Sequence, residues 1–251
     1  MLGSMTASSP TFIVPPPANT WPLFKAWLIV AAATAAWDAT GLDMVVMHWI
    51  GSSGGFSLRN EWLLERVLHT GLREAATVVY LILWIWTLWP ARWHRGSRPP
   101  LPRRERWAVL GAVSASLAMV SLLKHFSLTS CPWDLKPFGG MAWPVSHWQL
   151  GTADGGPGHC FPGGHASSGF GFLAMALPWS AAPRDSLREQ RIGRWWLLGS
   201  LGCGLLAGLV QTLRGAHFPS HTLWTLLICG GVSLTIWNVM AWVWNRPKRR
   251  T

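Results

Sequence analysis

Apolar and polar positions fall in long blocks along this chain. Six apolar runs occupy about 22–38, 72–90, 107–125, 165–182, 195–213 and 222–244. Each approaches the ~20 residues that an α-helix needs to cross the hydrocarbon core of a bilayer. The pattern therefore predicts an all-α, polytopic membrane fold of six transmembrane helices. Residues 1–20 are polar and proline-rich and have no basic leader, so they read as a disordered tail and not as a cleaved signal peptide. One membrane domain is expected over 21–245, followed by a basic tail, 246–251. Between the first two runs, Trp62, Leu63, Val67 and Leu68 alternate with Glu61, Glu65 and Arg66. That pattern predicts an amphipathic helix lying at the interface as a structural collar.

Composition reinforces the picture. Half of the 251 residues are apolar and 12% are charged, too few charges to clothe a soluble domain of this size. There are 20 tryptophans, and Trp21, Trp89, Trp107, Trp195 and Trp196 flank the apolar runs, where the indole suits a membrane–water boundary. The net charge of +11 would suit nucleic acid, but its distribution points elsewhere. Of 21 Lys and Arg, 14 lie in 92–106, 184–194 and 246–250, each abutting an apolar run. The positive-inside rule places these stretches and both termini in the cytoplasm. The alternate loops then face outward, into the periplasm of a bacterial-type inner membrane. No aromatic-interleaved basic surface accompanies the charge, so no nucleic-acid partner is expected.

The histidines sort by side. Of nine, only His94 falls in an expected cytoplasmic loop; His125, His147, His159, His165, His217 and His221 gather at the outer ends of the last four runs. Ionisable groups collected at one membrane face mark a functional site. Three stretches meet there: KHFSLTSCPWDLKPFGG (124–140), CFPGGHAS (160–167) and QTLRGAHFPSH (211–221). Their chemistry suits an anion. Lys124 is a cation at a helix end. Gly163 and Gly164 open a helix whose N–H groups can approach phosphate. Arg214 offers a planar fork for phosphoryl oxygens. His165 and His217 titrate in the right range to donate a proton and to attack.

In order and spacing the three stretches resemble the type 2 phosphatidic acid phosphatase superfamily, whose pattern is K-x6-R-P, P-S-G-H and S-R-x5-H-x3-D. Here Lys124 to Pro132 reads K-x6-C-P, Pro162 to His165 reads P-G-G-H, and His217 with His221 reads H-x3-H. The resemblance spans roughly 107–244. It implies that His217 attacks phosphorus to form a phosphohistidine and that His165 protonates the leaving group. Lys124 and the backbone at Gly163 and Gly164 would hold the phosphoryl oxygens, with no metal or other cofactor. Four positions depart from the pattern: Cys131 and Gln211 replace arginines, Gly163 a serine, and His221 the aspartate that orients the nucleophile. Arg214 and Lys136 are the candidate replacement cations, and Asp134 the candidate replacement carboxylate. His125 and His159 stand between supporting the site and idling in loops, whereas His147 reads as a loop residue. Cys131 and Cys160 lie in outer loops, where an oxidising compartment favours a disulfide. Cys203 and Cys229 fall inside spans.

These readings lead to a lipid phosphatase or phosphotransferase in contact with the bilayer, its protein partners unknown. Undecaprenyl pyrophosphate and lipid A are the substrates best matched to a periplasmic site. Two alternatives stay open. One is a non-catalytic lipid-phosphate binder, because two motif arginines are missing. The other is a metal-dependent hydrolase, with His217 and His221 spaced i, i+4 and His165, His159 or Cys160 completing the ligands.

Overall fold

The structure is a computed structural model and describes residues 19–90, 101–180 and 187–246. The expected tail 1–20 (except its last two residues), most of the basic tail 246–251, and residues 92–100 and 184–186 of the basic stretches lie outside the described residues. The described chain is helical, with two isolated β-bridges and no strand. Its main helices are α1 (Trp21–Thr40), α2 (Leu42–Ile50), α3 (Leu63–Leu88), α4 (Arg103–Phe126), α5 (Leu187–Leu213) and α6 (Pro219–Trp244).

Four of these, α3 to α6, are long and apolar enough to cross a membrane. The bent pair α1–α2 makes a fifth candidate; it turns by 71° at Gly41, whose φ of +66° is open to glycine and strained for other residues. Large apolar side chains such as Ile29, Ile82, Ile85 and Trp195 point outward, which water would penalise and lipid would not. Arg106 is buried on α4 and donates through Nη1 to the carbonyls of Trp86 (2.6 Å) and Trp89 (2.9 Å). It thereby closes the C-terminal end of α3 and fixes the α3–α4 hairpin.

The fourth apolar run departs from the expectation of six regular spans. From Gly164 to Ser180 it forms four short pieces, alternately 3-10 and α-helical. Pro162, Gly163 and Gly164 delay its start, Gly169 and Gly171 weaken it, and Pro178 lacks a donor. The run is instead the centre of the molecule. Phe172, Ala174, Met175 and Leu177 are buried among Val109 and Val113 of α4 and Leu234 and Trp237 of α6, and Phe170 and Leu173 are buried with Val120 of α4 and Cys229 of α6. A Cβ on Gly169 would sit 2.1 Å from the Gly204 nitrogen, so this segment and α5 touch backbone to backbone.

The segment 41–71 also differs from expectation. It forms no separate collar. Residues Leu63–Thr70 are a π-helical first portion of α3. Ahead of them, Met47 and Phe56 join Leu135, Phe138 and Ala142 of the 127–163 loop in a small core above the helix ends. That core brings the start of α3 over the ends of α4 to α6, where the three motif stretches lie.

Candidate active site

His165 stands in the 3-10 turn Gly164–Ala166, held by Ser167 Oγ donating to Gly164 O (2.6 Å) and Ser168 Oγ donating to His165 O (2.7 Å). The first backbone donor of that turn is Ala166, to Gly163 O. Lys124, in the last turn of α4, lies over the same turn: a Cβ on Gly164 would be 3.5 Å from its Nζ. A Cβ there would make ordinary contact with the Lys124 stem and ammonium, taking up the space beside them.

Gly163 behaves differently from the sequence expectation. Its N–H donates to the His221 carbonyl (3.1 Å), and its own carbonyl accepts from Thr225 Oγ1 (3.0 Å). Its N–H is thus committed to α6 and not offered to phosphate. A Cβ would come within 3.2 Å of the His221 carbonyl oxygen, a physical reason for glycine where the resemblance has serine.

His217 occupies the turn between α5 and α6 and is 3% exposed. Its ring centroid is 6.3 Å from that of His165 and 5.8 Å from that of His221. Cys131 and Cys160 form a disulfide, and Cys160 Sγ lies 3.3 Å from His217 Nδ1. A disulfide sulfur has no hydrogen to give, so a hydrogen bond across this contact is one donated by Nδ1–H, the tautomer that leaves the lone pair on Nε2. Burial pushes the His217 pKa well below the usual imidazole value, helped by His221, Lys124 and His165 and opposed by hydrogen bonding to the Cys160 backbone. The ring is therefore neutral near pH 7, as a nucleophile must be.

Arg214 is 7% exposed and firmly held. Its Nε donates to Arg59 O (2.8 Å), Nη1 donates to Gln211 Oε1 (3.3 Å), and Nη2 lies 3.9 Å from Glu65 Oε2. Gln211, where the motif has arginine, thus orients the arginine one turn on. Arg214 acts electrostatically on His165.

The structure brings His165, His217, His221, Lys124, Gly164, Arg214 and Gln211 together and leaves other candidates outside. Lys136 sits exposed in the loop, its ammonium 3.6 Å from the centre of the Trp143 ring. Asp134 is held within the 3-10 turn Pro132–Asp134 and interacts with Trp133 and Arg59; burial raises its pKa, and it does not reach His221. His125 and His159 stack on each other at 5.9 Å on the rim, where His159 Nδ1 meets Lys124 O (3.3 Å). The metal alternative loses its geometry. His217 precedes α6, so it does not share a helical face with His221. The one grouping of three potential donors among the described residues is Cys131, Cys160 and His217, and its sulfurs are joined to each other.

Three polar residues at the site escaped the motif reading. His69 Nε2 lies 2.5 Å from His165 Nε2, the closest ring pair in the cluster. His147 is edge-on to His221 at 5.9 Å and donates through Nε2 to Asp38 Oδ2 (3.2 Å). All three, His69, His147 and Asp38, lie outside the motif stretches. For His69 the available signal was a histidine four residues after Glu65 on an amphipathic stretch, one turn apart on a helix.

A family model described as the PAP2 superfamily matches residues 105–245, more than half of the chain. The chain belongs to the PAP2 superfamily. No curated protein and no solved structure matches it. PAP2 membership supports a phosphatase-type function in general. The match covers α4 to α6 and the buried 164–180 segment. His69, Glu65 and Asp38, which complete the surroundings of the PAP2 motifs, come from the part of the chain before it.

Proposed function

We propose that the protein is an integral-membrane lipid phosphatase or phosphotransferase working through a phosphohistidine. The observation that carries this reading is His217: buried, neutral, its Nδ1 occupied against Cys160 and its Nε2 lone pair left for attack, 6.3 Å ring to ring from His165. In the first step Nε2 attacks phosphorus in line. The P–N bond forms, the P–O bond to the leaving group breaks, and His165 gives that oxygen its proton. In the second step water, or another lipid hydroxyl or phosphate, attacks phosphorus, restores His217 and returns a proton to His165. Lys124, Arg214 and the N–H of Gly164 stabilise the charge that spreads over the phosphoryl oxygens. His221 and Gln211 position the nucleophile and Arg214, respectively.

The distribution of basic residues supports a site facing the periplasm of a bacterial inner membrane, with both termini in the cytoplasm. On that face undecaprenyl pyrophosphate and lipid A are the leading substrates. An apolar groove of about 470 Å³ between α3, the 164–180 segment and α5 begins one turn from His165, at Ser168 and Leu72, and suits a hydrocarbon chain. One observation favours a second reading, a binder without turnover: Gln211 holds Arg214 where the motif would supply another arginine.

The test is phosphate release and lipid mass for wild type and His217→Ala in detergent, with undecaprenyl pyrophosphate, lipid A and phosphatidic acid, with and without chelator. Chelator-resistant release abolished in the variant supports the proposal. Tight binding with no release or transfer selects the binder. Chelator-sensitive turnover overturns the phosphohistidine.

A further inference from the structure

His221 is the residue hardest to reconcile with phosphohistidine chemistry. It stands where the family motif has a carboxylate, is 1% exposed, and its Nδ1 has no hydrogen-bond partner. It lines a cavity of about 230 Å³ together with Asp38, Asp43, Ser130, His147 and Asp154 and with the apolar Met44, Leu135, Val145 and Phe218; His165 is not part of the lining.

The three carboxylates around this cavity are not equivalent. Asp43 is committed to structure: Oδ1 accepts from Trp37 Nε1 (2.8 Å) and the Ser220 N–H (3.0 Å), and Oδ2 accepts from the Ser220 hydroxyl, closing the first turn of α6. Asp154 is likewise committed, to the Ser130 N–H (2.5 Å), the Ser130 hydroxyl (2.8 Å) and the Gly156 N–H (3.0 Å). Asp38 differs. Its side chain is 6% exposed. Oδ2 accepts from His147 Nε2 (3.2 Å), Trp148 Nε1 (3.1 Å) and Trp224 Nε1 (2.7 Å), whereas Oδ1 is buried without a partner. His147 bridges the gap. Its ring lies flat on Phe161 (4.2 Å, 7°) and meets His221 edge-on. Buried polar atoms seldom go unpaired, and the polar groups in the cavity wall, with its volume, give partners and room for several waters.

We propose that Asp38, acting through His147 and water in this cavity, is the carboxylate that serves the His221–His217 pair in place of the motif aspartate. The proposal rests on the phosphohistidine reading. When Nε2 of His217 bonds to phosphorus its ring becomes a cation, and a neutral His221 supplies no opposite charge. Asp38 supplies it from the far end of the row His217, His221, His147. Asp38 and His147 touch neither substrate nor reacting atoms, so they are positioning residues. The charged and titratable groups facing His147 are Asp38 on α1, Asp43 on α2 and His221 on α6, and Lys124 on α4 faces His221.

The test uses the purified full chain in detergent. Orthovanadate is the probe, because it forms a five-coordinate adduct with a nucleophilic imidazole and needs no knowledge of the lipid. Its affinity is measured against pH by tryptophan fluorescence, alongside turnover of whichever of the three lipids wild type consumes and the melting temperature. Asp38→Asn is expected to weaken vanadate binding and lower kcat by about 10²-fold, with KM little changed. Removing a negative charge lowers the proton affinity of the imidazole row, so the acid limb of the profile moves to lower pH. His147→Gln should match this, the double variant should lose no more than the worse single, and Asp38→Glu should recover part of the loss. The proposal is overturned if Asp38→Asn keeps vanadate affinity within about twofold. Losses that add, or that follow melting temperature with an unmoved pH profile, overturn it equally. Failure of the parent reading looks different: wild type then ignores vanadate, or His217→Ala binds it equally well, and the role of Asp38 falls with it.

Discussion

The two flanks of His217 are built from opposite charges. On one side stand His165 and His69, with Lys124 and Arg214 around them. On the other stand His221 and His147, ending at the buried carboxylate of Asp38. The first flank suits the oxygens of a phosphate, and the second suits a ring that turns cationic when it is phosphorylated. The cationic flank takes its core residues from the family motifs. Among the described residues, the carboxylate of this flank that keeps a buried oxygen without a hydrogen-bond partner comes from α1, outside the family match. A motif written as one aspartate has here been spread over three side chains from α6, the 127–163 loop and α1.

Removing the residue between the flanks should have the largest effect. His217→Ala is expected to cut phosphate release by about 10⁴-fold or more, since nucleophile loss leaves only binding and electrostatic contributions. His165→Ala should fall in the same range if the leaving group needs its proton. Release from either variant near the wild-type rate would break the comparison at its root.

The disulfide comes next, because its Cys160 sulfur lies 3.3 Å from His217 Nδ1. It closes a separation of 29 residues between the first two motif stretches, worth roughly 3–4 kcal/mol by loop entropy. Cys160→Ser with Cys131→Ser should lower the melting temperature and reduce kcat by about 10- to 10²-fold. Unchanged kcat in a destabilised but folded variant would show that the sulfur does not select the tautomer.

How far the sequence carried follows from what is local. Lys124, His165 and His217 each sit inside a short stretch whose spacing is set by one turn or one helix end, so they could be named without a fold. The same locality made Lys136 and Asp134 look equivalent to them. Only the turns at Pro132–Asp134 and Lys136–Phe138 show these two aimed at Trp143 and at Trp133 with Arg59. His69, His147 and Asp38 meet the site through contacts of 96, 74 and 109 positions' separation or similar, which no periodicity reports. The apolar run at 165–182 was legible as long enough for a span but not as broken or as the core of the molecule, because hydropathy counts Gly169, Gly171 and Pro178 as tolerable while backbone geometry does not.

A milder perturbation tests the cationic flank alone. His69→Gln keeps a hydrogen-bonding group near His165 but cannot carry a proton, and should lower kcat by roughly tenfold. His69→Ala should cost more, since it also leaves the Nε2 of His165 without its partner. If both variants match wild type at every pH, His69 only packs against His165.

Acidification separates the flanks through stability. The folded His217 has its pKa held well below the 6.5 of a free imidazole, chiefly by burial. Above 6.5 the ring is neutral in both folded and unfolded chains, and its contribution to stability is fully present. As pH falls below 6.5 the unfolded chain takes up a proton that the folded one refuses, so stability drops. Melting temperature in detergent should therefore decline between neutral and acid pH, and the decline should be shallower in His217→Gln. An equal slope in both would place the titration elsewhere.

The smallest expected effect comes from restoring the motif's serine. Gly163→Ser puts a Cβ 3.2 Å from the His221 carbonyl oxygen, tighter than ordinary contact, so either α6 or the turn must give by a few tenths of an ångström. The Gly163 N–H bond to that carbonyl would lengthen, and about 1 kcal/mol of stability should be lost. The neighbouring Gly164→Ala meets Lys124 Nζ at an ordinary 3.5 Å and should cost less stability but more activity, because its methyl takes up space beside the ammonium where phosphate would bind. The pair of variants thus asks which glycine serves α6 and which serves the substrate. If Gly163→Ser lowers kcat with no change in melting temperature, its position bears on phosphate directly and the division drawn between the two glycines is wrong.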